Sequence, residues 1–212
     1  MMKPQLILLG APGSGKGTQA ARLVSDLGYT HISTGDLLRA EIKSGSDLGN
    51  RVQDIMNKGG LVDDSTVLEL LSANCNLEST SYIFDGFPRN IEQAKSLDNS
   101  VLKGVKSRAV YFQIDLDLLA SRLVNRRTCS GCGEIYNLLS KAPKDPSVCD
   151  KCGSKLTQRK DDNEDTVKTR LGVFKETIEP VLAYYEENDR LRRLDASEGA
   201  DKVFESLKEI TK

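Results

Sequence analysis

The stretch Gly10-Ala11-Pro12-Gly13-Ser14-Gly15-Lys16-Gly17-Thr18 follows the apolar run Gln5-Leu6-Ile7-Leu8-Leu9 and leads into Gln19-Ala20-Ala21-Arg22-Leu23. A short buried strand, a glycine loop, a lysine and a helix, in that order, form a phosphate cradle. Glycines at 10, 13 and 15 permit dihedrals closed to residues with side chains, so successive N–H groups can converge on one anion. The helix starting near Lys16 adds its positive N-terminal end, and the lysine adds a mobile full charge. Gly10 to Lys16 fit G-x-x-x-x-G-K, but Gly17 stands where the general pattern has Ser or Thr, and Thr18 follows. The alternative is a plain glycine turn, which the strand and helix on either side disfavour. A nucleoside polyphosphate is the expected ligand.

At 212 residues the chain can bury a good core as one α/β domain with inserted subdomains. Charged residues make up 29% of it, but 30 basic and 31 acidic side chains leave a formal net charge of −1. A chain that lives on nucleic acid or an anionic membrane usually carries a basic excess, so neither is expected as a partner. Met1-Met2-Lys3-Pro4 runs straight into the first strand, and no signal peptide is expected. No apolar stretch approaches the roughly 18 residues of a membrane span. Cytoplasmic residence is the expectation.

Four more apolar runs read as buried parallel strands: Thr30–Ile32, Tyr82–Asp85, Arg108–Ile114 and Leu191–Asp195. Helix-period segments lie between them, as in a wound α/β sheet. Asp117–Arg127 reads as a helix with Leu119, Leu123 and Val124 on one face. From Asn163 a long helix is predicted, with Pro180 expected to kink it or start a second segment. Two stretches interrupt the alternation. Residues 33–62 carry helical pattern over Asp36–Lys43 and Leu48–Asn57 and end at Gly59-Gly60, while 125–162 is rich in turn residues with little helical period. Both read as insertions at the sheet's C-terminal edge, where open α/β sheets bind ligands.

Cys129-Ser-Gly-Cys132 and Cys149-Asp-Lys-Cys152 are separated by sixteen residues, the spacing of a zinc ribbon. Four thiolates would close a structural tetrahedral site, zinc first and iron second. Such a site has no open position for an activating water; its task is to fold a small flap with little core of its own. The alternatives are free thiols or a redox pair. Cys75 stands alone and reads as a buried thiol.

Phosphoryl transfer needs positioned positive charge more than a covalent catalyst. Arg39, Arg89, Arg122, Arg126, Arg159 and Arg170 fall in the insertions or at element ends. Tyr82-Ile83-Phe84-Asp85 is an apolar strand ending in a carboxylate, suited to stand beside a P-loop magnesium, and Gly86-Phe87-Pro88-Arg89 then turns the chain. His31, the single histidine, has no partner identifiable from sequence and is read as structural.

Taken with Ile32-Ser33-Thr34-Gly35-Asp36-Leu37-Leu38-Arg39, Phe84 to Arg89 with Gln93, Arg126-Arg127, and Arg159-Lys160-Asp161-Asp162 with Arg170, the chain resembles the adenylate kinase family, in its long-lid bacterial form with a zinc-binding lid. The resemblance runs from residue 5 to about 195, and Gly17-Thr18 is ordinary for that family. It implies a three-layer P-loop NTPase core with a five-stranded parallel sheet (1–32, 63–124 and 163–212), an AMP-binding flap (33–62) and a lid (125–162). It implies a monomer catalysing Mg·ATP + AMP ⇌ 2 ADP, which maintains adenine nucleotide balance.

By the same resemblance Gly13, Ser14, Gly15, Lys16, Gly17 and Thr18 hold the ATP phosphates, with Arg122 and Arg126. Ile135 and Tyr136 pack near the ATP base, and Glu198 falls where a main-chain carbonyl meets adenine. AMP is assigned to Thr34, Arg39, Gly60, Leu61, Val62, Gly86, Phe87, Pro88, Arg89, Gln93, Arg159 and Arg170. The catalytic set is Lys16, Asp85, Arg89, Arg122, Arg126, Arg159 and Arg170, with Asp85 orienting magnesium-bound water. Zn2+ falls to Cys129, Cys132, Cys149 and Cys152. A kinase for UMP, CMP or GMP is the nearest rival, and a nucleic-acid-dependent ATPase built on the zinc ribbon is the rival from another class. Gln93 and Thr34 favour adenine by family analogy. Near-neutral charge argues against nucleic acid.

Overall fold

The computed structural model describes residues 3–212; Met1 and Met2, which open the first expected core segment, lie outside the described residues. β1 (Gln5–Leu9) is wholly buried and alternates between two cores. Ile7 and Leu9 face one, Leu6 and Leu8 the other. Each such side chain withdrawn from water contributes about 1.5–3 kcal/mol, so both faces of the strand must be covered. Helices on either side of the sheet do this.

The chain continues through α1 (Lys16–Leu27), β2 (Thr30–Ser33), α2 (Thr34–Ser44), α3 (Asp47–Asn57), α4 (Asp64–Ala73), β3 (Tyr82–Asp85) and α5 (Ile91–Ser96). A π-helical turn, Leu97–Leu102, leads to β4 (Ser107–Gln113). A 3-10 turn, Leu116–Leu118, then opens α6 (Leu119–Val124). Next come β5 (Arg126–Cys129), β6 (Ile135–Asn137), β7 (Leu156–Thr157), α7 (Glu164–Glu187), β8 (Leu191–Asp195) and α8 (Ala200–Thr211). The main sheet has five strands in the order β2-β3-β1-β4-β8, and every pairing is parallel. The α/β expectation holds. From β1 the chain passes to strands on one side and later to strands on the other, so the loop after β1 sits at a switch point, where such sheets bind ligands.

The core on one face joins Ile7, Phe84 and Ala109 to Ile178, Val181, Leu182 and Tyr185 of α7. The other joins Leu8, Val110 and Phe112 to Leu23 of α1 and Phe204 of α8. The two interruptions also take definite form. The first is the helix pair α2 and α3, capped by Ser33 and Ser46 side chains that accept from the Asp36 and Gly49 amides. The second holds a three-stranded antiparallel sheet, β6-β5-β7.

Two local expectations are corrected. The helix predicted over Asp117–Arg127 ends at Val124, because Arg126 already pairs with Asn137 in the small sheet. α7 runs as one helix of 24 residues through Pro180, so no second segment begins there. That proline is exposed, so the carbonyl it leaves without an N–H partner can be satisfied by water.

Candidate functional site

Gly15, at φ +96°, caps α1 in a left-handed conformation open to glycine and strained for other residues. The loop it closes lines a cleft of about 1290 Å³ beyond the C-terminal ends of the strands. Lys16 folds back over the loop, and its Nζ donates to the carbonyls of Gly10 (2.8 Å) and Ala11 (3.0 Å). Burial, with Arg89, Arg170 and Arg126 nearby, lowers its pKa to about 8 despite the favourable charge of Asp85. A cation this poorly solvated has much to gain from a phosphate.

Asp85 ends β3 at the floor of the cleft. Burial opposes its ionisation, but a hydrogen bond with His31 and the charge of Lys16 outweigh that, and its pKa falls below the usual carboxylate value. Nε2 of His31 lies 3.3 Å from Oδ2 of Asp85. The histidine without a sequence partner therefore acquires one, because parallel pairing sets His31 opposite Ile83, two residues from Asp85.

The arginines gather around the same space. Arg39, Arg89, Arg122, Arg126, Arg159 and Arg170 all line the cleft. Arg89 donates through Nε to the Gly86 carbonyl (2.7 Å). Its pKa is pushed down to about 10 by burial within the cleft walls and by Arg170, and that of Arg159 to about 10 by burial and Arg39. Both remain cations at neutral pH.

Three carboxylates to which the sequence reading assigned no role hold this set apart. Asp162 is fully buried and accepts from Arg126 Nε (2.8 Å) and from Arg170 (3.1 Å). Asp161 faces Arg170 at 3.0 Å. Asp36 meets Arg39 at 2.6 Å and Arg159 at 3.5 Å. Asp161 and Asp162 stand inside the quoted Arg159-Lys160-Asp161-Asp162 run, which was the available signal.

Thr34, Gly60, Leu61, Val62, Gly86 and Pro88 line the same cleft, as do Ser14, Gly17, Thr18 and Glu198. Gly86 has φ +81°, and a Cβ there would meet Thr34 Oγ1 at 2.9 Å, so a side chain is excluded. A Cβ on Gly17 would lie 3.4 Å from Ile135 Cδ1, which places the small sheet directly above the phosphate loop. Gln93 is buried with both ends of its carboxamide engaged. Its Oε1 accepts from the Arg89 amide (2.7 Å), and its Nε2 donates to Asp64 (2.7 Å).

One assigned side chain is not brought into the cleft. Phe87 is 1% exposed and packs in the main core. Tyr136 contributes to the cleft wall, but its ring is buried with the cysteines, on the opposite face of β6 from Ile135.

The four cysteine sulfurs of residues 129, 132, 149 and 152 lie within 4.8 Å of one another. Cys129–Cys152 and Cys132–Cys149 are separated by 3.4 and 3.7 Å. Sulfurs at the corners of a tetrahedral zinc site with Zn–S bonds near 2.3 Å stand about 3.8 Å apart, so the donor set fits that ion. The amides of Gly131 and Cys132 donate to Cys129 Sγ at 3.4 Å, as a knuckle holding a thiolate requires. Cys75 lies apart, its thiol pushed up to about 11 by burial.

A family model described as adenylate kinase matches residues 8–190. The chain belongs to the adenylate kinase family. It is 40% identical over 209 residues to the adenylate kinase of Geobacillus sp. (strain WCH70), covering 97% of each chain. Against the adenylate kinase of Syntrophobacter fumaroxidans it is 43% identical over 204 residues, or 94% of this chain and 95% of the relative. Against that of Bacillus licheniformis it is 41% identical over 210 residues, 97% and 96% respectively. Family membership makes the chain a phosphotransferase. No helix among the described residues is long and apolar enough to cross a membrane.

Proposed function

We propose that the family reaction, ATP + AMP = 2 ADP, takes place in the cleft between the P-loop, the helical insertion 33–62 and the cysteine-bearing insertion 125–162. The observation that carries this is the convergence of six arginines and Lys16 on one space floored by Asp85. In this reading 33–62 is the AMP flap, 125–162 is the lid, and 1–32, 63–124 and 163–212 form the core.

The P-loop amides from Gly13 to Thr18 and the Lys16 ammonium hold the ATP phosphates, with Arg122 and Arg126 above them. Arg39 and Arg89 hold the AMP phosphate, and Thr34, Gly60 to Val62 and Gly86 form the wall on that side. An AMP oxygen, already anionic, attacks the γ-phosphorus as the bond to the β–γ bridging oxygen breaks, so no general base is required. Arg159 and Arg170 neutralise charge on the transferring group, and alignment with charge compensation supplies the rate. Mg2+ brought with ATP would add neutralisation at the β and γ oxygens, and Asp85 would orient its waters.

Ile135 offers the ATP base an apolar surface, and Glu198 stands near enough to contribute its main chain. Tyr136 and Phe87 serve by packing. Gln93 reads adenine by trading its hydrogen bonds with Asp64 and the Arg89 amide for the base edge. Zn2+ held by Cys129, Cys132, Cys149 and Cys152 fixes the lid. A cytoplasmic monomer completes the reading; cysteines gathered as metal ligands suit a reducing compartment.

A coupled assay of ADP formation with AMP, UMP or GMP as acceptor, run beside metal analysis of the same sample, tests this. AMP is expected to be preferred. Lys16→Met is expected to lower kcat/KM by about 10³ or more with the circular dichroism spectrum unchanged. Preference for UMP, or near-normal turnover of the variant, would overturn the assignment.

A further inference from the structure

Gln93 lines the nucleotide cleft but is buried, so its carboxamide has little room to turn. Its Nε2 donates to Oδ1 of Asp64 at 2.7 Å, and its Oε1 accepts from the Arg89 amide at 2.7 Å. A carboxylate only accepts and a backbone N–H only donates, so these two partners decide which end of the carboxamide is which. Turning the group over would set Oε1 against the Asp64 carboxylate and the NH2 group against the Arg89 N–H.

Asp64 opens α4, two residues beyond Val62 of the cleft wall, and stands behind Gln93 rather than in the wall itself. It is not needed as the helix cap, because Asp63 fills that role by accepting from the Thr66 amide at 2.9 Å. Asn90 Nδ2 donates to both Asp64 oxygens, at 3.2 and 3.3 Å, while Asn90 Oδ1 accepts from the Gln93 amide at 2.8 Å. The carboxylate is thus steered from the start of α5 and steers Gln93 in return. Its bond to Nε2 is charge-assisted and is the stronger of the two anchors. Each end of the carboxamide keeps one position free: a second N–H on Nε2 and a second lone pair on Oε1. A base edge meets these spare positions first, while both anchors hold. They match adenine, whose exocyclic amine donates beside a ring nitrogen that accepts. They oppose a 6-oxopurine, whose carbonyl accepts beside an N1–H that donates.

We propose, building on Gln93 as the reader of the acceptor base, that Asp64 is a positioning residue that sets specificity. It fixes the orientation in which Gln93 faces the base, so that 6-aminopurine monophosphates are taken and 6-oxopurine monophosphates are refused.

The test uses the full-length, zinc-loaded enzyme with ATP as donor and either AMP or inosine monophosphate as acceptor, two bases that differ only at C6 and N1. The readout is the ratio of the two kcat/KM values. Asp64→Asn puts a group behind Gln93 that can donate as well as accept, and Asp64→Ala removes the anchor outright. Each should lower the ratio about tenfold, through a higher KM for AMP and a lower one for inosine monophosphate, with the KM for ATP unchanged. Loss of folded protein lowers both rates alike and leaves the ratio where it was, so a merely structural role gives no such change. In a Gln93→Leu background, Asp64→Asn should alter the ratio no further. A ratio that Gln93→Leu lowers but both Asp64 variants leave within about twofold would overturn the role of Asp64 and keep Gln93 as the reader. A ratio that Gln93→Leu leaves unchanged would overturn both.

Discussion

Arg126 grips Asp162 through two parallel hydrogen bonds, Nε to Oδ2 at 2.8 Å and NH2 to Oδ1 at 2.5 Å. The two residues stand at the two ends of the insertion 125–162, Arg126 as the first residue of β5 and Asp162 after β7. Asp162 also accepts from Arg170 on α7, so one fully buried carboxylate ties both ends of the insertion to the core. The same contact screens two of the cleft's cations from each other.

Asp162→Asn should therefore destabilise the fold. It leaves Arg126 and Arg170 without their shared counter-charge, and breaking a buried pair in this way costs about 3 kcal/mol or more. Denaturant unfolding should detect that loss. A stability change within about 0.5 kcal/mol would show that the carboxylate charge is dispensable.

The pKa of Lys16 predicts proton uptake on nucleotide binding. Folding lowers it from 10.5 to about 8, so between those values the unfolded chain holds a proton the empty folded chain lacks. The cost of the buried ammonium is fully present below about pH 8 and fades as pH rises toward the unfolded value. Phosphates restore the proton's affinity, so diadenosine pentaphosphate binding near pH 8.5 should draw in part of a proton at this group. Calorimetry in buffers of different ionisation enthalpy measures it. Lys16→Arg, permanently charged, should abolish the uptake; persistence of the full uptake would assign it to another group.

Cys149→Ser should release metal and loosen the lid. Losing one of four thiolates opens a site that closes a small, core-poor sheet. A loss of about 3 kcal/mol, or roughly 6–12 °C in Tm, is expected, together with a smaller change in turnover at low temperature. Equal Tm values with and without zinc would contradict a structural role for the metal.

Tyr136→Phe should weaken zinc without touching a ligand. The Tyr136 hydroxyl lies 3.5 Å from Cys149 Sγ and accepts from the Asp150 amide at 3.0 Å, so it helps fix the second knuckle. Removing such an outer partner costs about tenfold or more in metal affinity. Competition with a chromophoric chelator reads this directly, and unchanged affinity would remove the tyrosine from the site.

Much of this molecule was legible along the chain because the deciding interactions are local or periodic. A glycine loop between strand and helix, short strand runs such as Leu6–Leu9 and two matched C-x-x-C pairs carry their meaning within a few residues, since backbone sterics, burial and ligand spacing are short-range constraints. Helix α7 passing through Pro180 was not legible, because tolerance of a proline depends on whether the freed carbonyl faces water. The three-stranded lid sheet was missed for a related reason: its strands are two to four residues long, too short to establish a period.

The sequence by itself determined that a phosphate cradle and two matched cysteine pairs belong to one α/β chain, because each loop or pair is encoded within a few contiguous residues. Only the tertiary structure decided which charges answer which. His31 finds Asp85 across a parallel strand pair, Arg126 finds Asp162 thirty-six residues away, and Arg159 finds Asp36 on the facing insertion. Coulombic and hydrogen-bond partners are chosen by distance in space, and that distance exists only after the sheet has set its strand order.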